Sequence, residues 1–203
     1  VWPHRGADIG VHLTGLTMIM LGGGVLIWRA SGELGAGLIA ALLVYIGCAL
    51  FSNLASIAYH FGPWPERRKL FRRIDHAAIY LSITGTFTPF FVLANTTWTL
   101  TLLWLCWGLT ALAVFNKITN AEVKSRWSTA SYLALGALGL CAIPDLKGVP
   151  AETPWWIAAG ALAYVIGVTF YARKNMPYRY PVWHAWVNLG GIMMFVGIWK
   201  ALF

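Results

Sequence analysis

The chain has 203 residues, of which 59% are hydrophobic, 11% are charged and 12 are Trp. An ordinary soluble domain carries roughly 25% charged residues, so this composition excludes disorder, a coiled coil and most soluble folds. The formal net charge of +8 would suggest nucleic acid in a soluble protein, but in a chain this apolar the placement of the charges matters more than their sum.

Seven apolar runs follow in chain order, at about 9–28, 36–58, 75–94, 97–115, 128–144, 154–172 and 182–202. A membrane-spanning helix needs about 20 mostly apolar residues, so seven spans use roughly 140 and leave roughly 60 for loops and ends. The runs are long and continuous, unlike the alternating strands of a barrel, and a helix satisfies its own backbone hydrogen bonds in lipid. The predicted fold is therefore an all-α integral membrane protein, a seven-transmembrane helix bundle, with residues 1–203 as a single domain.

The first run has only Arg5 as a basic flank and is longer than a signal sequence requires, so it reads as a helix. Only Asn95-Thr96 separates the third run from the fourth, which predicts a tight hairpin, and Gly85 and Pro89 are expected to kink the third helix. Cys48, Cys106 and Cys141 each fall inside an apolar run without CxxC spacing and read as small buried hydrophobes. Trp64, Trp98, Trp127, Trp155, Trp156 and Trp183 fall near helix ends, where interfacial anchoring accounts for them.

Orientation follows from the loops. Twelve Lys and Arg residues, among them Arg5, Arg67, Arg68, Lys69, Lys124 and Arg126, lie on the side of the N-terminus, against Arg29, Lys147 and Lys200 on the other. The positive-inside rule puts the crowded side in the cytoplasm, with the N-terminus inside and the C-terminus outside. The basic segment 66–73 is explained by topology alone, and anionic lipid head groups are its expected partner, adding about 1 kcal/mol per basic residue near the surface. Membrane lipids are the expected surroundings and nucleic acid is not expected. Short loops and no long tails suit a bacterial cytoplasmic (inner) membrane.

Ionisable side chains in or beside spans are costly and usually functional. His12 lies near the start of the first run, Ser56 and His60 at the end of the second, Asp75 and His76 at the start of the third, and His184 at the start of the seventh. Ser56 and His60 are four apart and share a helix face, as do Tyr180 and His184. Two or three imidazoles with a carboxylate make a zinc site with an open position, whose bound water becomes a nucleophile near neutral pH. Asp75 is suited to orienting that water, and Ser56 to donating to a developing oxyanion. The plainer account is a set of hydrated helix-end residues at the interface, which is the expectation for His4 and His76.

The run Ser56-Ile57-Ala58-Tyr59-His60, the segment Arg73-Ile74-Asp75-His76-Ala77-Ala78-Ile79, Gly85-Thr86-Phe87-Thr88-Pro89 and the late Trp183-His184-Ala185-Trp186-Val187-Asn188-Leu189-Gly190 resemble the hemolysin III family. Smaller echoes, His12-Leu13-Thr14-Gly15 and Tyr164 to Tyr171, extend the resemblance over nearly the whole chain. It implies kinship with the progestin and adipoQ receptors, including the adiponectin receptors, and more distantly with the alkaline ceramidases. It further implies seven helices with the N-terminus inside, and a zinc ion near the cytoplasmic face held by one His on helix two and two on helix seven. Carried over, His60 is the helix-two ligand, His184 the second helix-seven ligand, Asp75 the carboxylate holding the zinc-bound water, and Ser56 the accompanying serine.

The first helix-seven ligand should precede His184 by four residues, and this sequence has Tyr180 there. Three outcomes stay open: Tyr180 ligates as a phenolate, His12 or water completes a weaker site, or the zinc is lost and the bundle remains. The functional expectation is a regulator of membrane lipid state or homeostasis with a degenerate zinc site. The alternative is a zinc-dependent hydrolase of a lipid amide or ester. Pore formation has less support, because a pore lining needs polar residues repeated along several helices.

Overall fold

The computed structural model describes residues 4–120 and 125–203. Among them are seven helices long and apolar enough to span a membrane: α1 (Arg5–Glu33), α2 (Ala36–Phe61), α3 (Arg68–Ala94), α4 (Thr97–Thr119), α5 (Ser125–Leu140), α6 (Thr153–Ala172) and α7 (Arg179–Leu202). The all-α, seven-helix expectation holds. Lys124 lies outside the described residues, as does the side chain of Arg126.

Several helices start earlier than hydropathy suggests. The basic segment 66–73 is not an open loop: Pro65–Arg67 form one 3-10 turn, and Arg68, Lys69, Arg72 and Arg73 belong to the opening turns of α3. Lys and Arg are good helix formers, so a helix leaving the bilayer has no reason to stop at its first charge. Asn95 closes α3 in the left-handed conformation (φ 47°), which Asn tolerates, and Thr96 with Thr99 forms a capping box that opens α4.

Large apolar side chains face outward. Leu13, Leu21, Leu112, Phe115 and Leu162 are each more than half exposed, as suits a surface solvated by lipid. Trp28, Trp104, Trp127 and Trp155 are similarly exposed. The three cysteines are free, but only Cys106 is buried; Cys48 is half-buried, and Cys141, one residue past the end of α5, is exposed.

The chain forms two compact units, residues 1–18 with 148–203 and residues 19–147. In the second unit α3 is the central helix, with 61% of its apolar stretch buried against 17–22% for every other span. It packs against α2, α4 and α5. Gly85 lets α3 approach α2 closely, since a Cβ there would stand 2.7 Å from that of Cys48. The hydroxyls of α3 find partners in the helix itself and on α4: Thr84 Oγ1 lies 2.7 Å from Thr110 Oγ1, Thr88 donates to the Thr84 carbonyl (2.8 Å), and Trp107 Nε1 donates to Thr88 (3.2 Å). Pro89 sits inside the helix, where its ring removes one backbone donor and crowds the carbonyl four residues back, that of Gly85.

The first unit combines the start of α1 with α6 and α7. The last two helices touch backbone to backbone, because a Cβ on Gly160 would meet Met194 at 2.9 Å and the Gly190 carbonyl at 3.1 Å. Small residues permit this approach, which is how helices associate where lipid supplies no hydrophobic drive. Arg179 closes the turn between them, donating from Nε to the Tyr171 carbonyl at 2.6 Å.

Candidate functional site

In the first unit the start of α1 presents Asp8 and His12 four residues apart, hence on one helical face. Both are buried, at 7% and 3% exposure. On α7, His184 points its Nδ1 at Asp8 Oδ1 (2.8 Å), and His12 Nδ1 lies 3.4 Å from the same oxygen. His12 Nδ1 is also 2.8 Å from the Asp8 carbonyl, and the two imidazoles meet edge to face with centroids 4.1 Å apart. One turn along α7, Asn188 donates to the Val11 carbonyl at 2.9 Å and fixes the register that turns His184 towards Asp8.

One ligand atom from each of Asp8, His12 and His184 lies within 4.8 Å of the other two, close enough to share a metal ion. An apolar groove of about 490 Å³ runs beside them, lined by their chain neighbours Ala7, Val11 and Ala185 and by Gly10, Asn188 and Leu189 among others.

In the second unit Ser56 and His60 stand one turn apart on the buried face of α2, each 8% exposed. Tyr59 packs edge-on against His60 (centroids 4.9 Å) and also faces His76 at 6.4 Å. At the start of α3, Asp75 Oδ2 lies 3.2 Å from His76 Nδ1, near enough to pair with a protonated imidazole though not aligned for a hydrogen bond. Tyr132 anchors this turn by donating to the His76 carbonyl at 2.8 Å. His4, next to the start of α1, stacks on Tyr178 with centroids 3.6 Å apart.

Tyr180, which stands where the implied zinc set has its first helix-seven histidine, lies among aromatic and cationic neighbours. Its ring lies 6.3 Å from that of Tyr171, and the Arg179 guanidinium sits 5.0 Å from its centroid. A phenol is a weak zinc ligand, since its ordinary pKa is near 10. Within the first unit, α1 brings an imidazole and a carboxylate, His12 and Asp8, to His184. Sequence reading singled out His12 but passed over Asp8. The signal was present in the i, i+4 spacing of Asp8 and His12 within an otherwise apolar helix.

The sequence pattern of the haemolysin-III-related family matches residues 6–195. The chain is 32% identical to Hemolysin-3 of Bacillus cereus over 175 residues, which cover 84% of this chain and 79% of that protein. It is 30% identical to a Hemolysin-3 homolog of Bacillus subtilis over 160 residues, 77% of this chain and 71% of the homolog. It is also 24% identical to the human monocyte to macrophage differentiation factor over 166 residues, 77% of this chain and 67% of that one.

Proposed function

The chain belongs to the haemolysin III family, as an integral protein of the bacterial inner membrane, and from that premise we propose that it regulates the lipid state of the membrane it spans. The observation that carries this reading is the burial of Asp8 and His12 in a helix whose other residues are mostly apolar. Ionisable groups within spans are expensive, and where a bundle keeps them they mark functional centres.

The proposal includes an N-terminus in the cytoplasm. The basic residues 66–73 then meet the anionic inner leaflet, an attraction of about 1 kcal/mol per charge. It also includes zinc, which when bound supplies a polarised water. His184 in the first unit, and His60, Asp75 and Ser56 in the second, are the side chains whose loss is expected to abolish the effect. Hydrolysis of a lipid amide or ester is the second reading, favoured by a donor set of imidazoles and carboxylate that resembles catalytic zinc sites.

The test is expression in a bacterial host lacking its own relative, with membrane lipids profiled by mass spectrometry and acyl order by a polarity-sensitive dye. A shift relative to empty vector that disappears in His184→Ala and Asp75→Ala supports the regulator. Identical profiles with and without the protein overturn it. Zinc-dependent release of fatty acid from ceramide or a lipid ester by the purified protein, absent in Asp75→Ala, would establish the hydrolase instead.

A further inference from the structure

We infer that Asp8 and His12 of α1, together with His184 of α7, are the ligands of a borderline-soft divalent ion such as zinc. The first helix supplies the donors that position 180 does not. The inference rests on the zinc reading above and names a different ligand set for it.

The geometry assembles the site without any local rearrangement of the chain. Asp8 Oδ1 is shared between two imidazole nitrogens, at 2.8 Å from His184 Nδ1 and 3.4 Å from His12 Nδ1. Ligand atoms around a tetrahedral zinc, each about 2.0–2.2 Å from the ion, stand between about 3 and 4 Å apart, so three donors already within 4.8 Å need only small rotations. The ion's charge would offset the burial of Asp8, which is unfavourable for a carboxylate unless it is paired.

Chemistry selects the class of ion. Two imidazoles with one carboxylate match the open three-ligand zinc sites, leaving a fourth position for water, whereas calcium and magnesium require shells of oxygen. Support for the ligands comes from the surrounding contacts. The Asn188 bond to the Val11 carbonyl locks α7 against α1 next to the cluster, and the Asp8 carbonyl, 2.8 Å from His12 Nδ1, would hold that nitrogen's proton and leave Nε2 of His12 as the ligating atom.

The experiment uses the full chain, purified in detergent, stripped with chelator and titrated with Zn²⁺, Co²⁺ and Mg²⁺. The expected result is one Zn²⁺ per chain, visible d–d absorption with Co²⁺, and no competition from Mg²⁺. Asp8→Asn, His12→Gln and His184→Gln should each weaken Zn²⁺ binding by more than about 100-fold and abolish the zinc-dependent rise in Tm. Tyr180→Phe should bind as the parent does.

Zinc retained at parental affinity in both Asp8→Asn and His12→Gln overturns this ligand set while leaving the zinc reading intact. Loss of zinc in Tyr180→Phe overturns it in favour of a phenolate ligand. No zinc bound by the unmodified chain overturns both readings together. If Asp8→Asn does not fold, judged by size-exclusion chromatography, His12→Gln and Tyr180→Phe decide the question.

Discussion

The threonines of α3 and the Asp8–His12–His184 group both place polar atoms among apolar helices, but they are satisfied in opposite ways. Thr84, Thr86 and Thr88 are neutral, and two of them return a hydrogen bond to the carbonyl four residues back in their own helix. Thr84 finds its cross-helix partner in Thr110, another hydroxyl that could have bonded locally. Asp8 and His184 instead pair across 176 residues of sequence at 2.8 Å, closer than the 3.4 Å between Asp8 and His12 on the same helix. Hydroxyl groups therefore decorate the packing of the second unit, whereas the ionisable group of the first unit depends on the helices staying in register. An ionisable group that draws a partner from another helix is costly to keep, which makes it the better candidate for function.

The sharpest way to break this contrast is to remove Asp8. Its side chain is 9% exposed, and removing one partner of a buried pair typically costs about 3–5 kcal/mol because the remaining group is left uncompensated. Asp8→Ala in metal-free protein should lower stability in an SDS titration by an amount of that order, and Asp8→Asn by less. If Asp8→Ala unfolds at the same SDS fraction as the parent, the cluster is decorative and the distinction drawn here fails.

The hydroxyl side of the comparison predicts a small effect. Interhelical hydrogen bonds in membrane proteins average about 0.6 kcal/mol, since the partners find alternatives when separated. Thr84→Val should cost about that much, and the Thr84→Val/Thr110→Val double variant should cost little more, because the two singles remove the same bond. A loss above about 2 kcal/mol in either single variant would place the threonines in the same class as Asp8.

How far the sequence discloses these features depends on their range. The seven helices are legible because span length and backbone satisfaction leave few other solutions, and the Asn95-Thr96 hairpin is legible because its capping chemistry is local. The central position of α3 is not. α2 is the more apolar helix, yet far less of it is buried. In lipid the most apolar surface has no reason to turn inward, so hydropathy reports membrane insertion and says little about burial. The better signal for α3 was its run of small and hydroxyl residues, Thr84-Gly85-Thr86, which allows close helix contact.

The candidate site divides in the same way. His12, Ser56, His60, Asp75 and His184 stand out because each is polar where the chain is apolar. Asp8 was missed because an acid in the first turn of a helix is unremarkable beside a helix dipole. Its importance lies in a partner that no local pattern announces. The aromatic surroundings of Tyr180 are likewise tertiary, made by Tyr171 and Arg179 at the α6–α7 turn.

The smallest expected effect belongs to the other end of the first unit, where an ion pair does form but in the open. Lys200 Nζ lies 3.2 Å from Glu152 Oε1, with both side chains about half exposed. The Glu152 carboxyl is held below its ordinary range, first by a hydrogen bond to its own backbone N–H and then by one from Lys200. A lowered folded-state value means that any stabilisation is present above the ordinary carboxylate pKa, about 4.3, and is lost as the pH falls through the lower value. Exposed pairs are largely cancelled by solvent screening and side-chain entropy. Glu152→Gln should therefore leave Tm within about 1 °C of the parent at pH 7, and acidification towards pH 4 should narrow even that difference. A larger loss would mean that this exposed pair helps hold α6 and α7 together, a role here assigned to the backbone contact of Gly160 with Gly190.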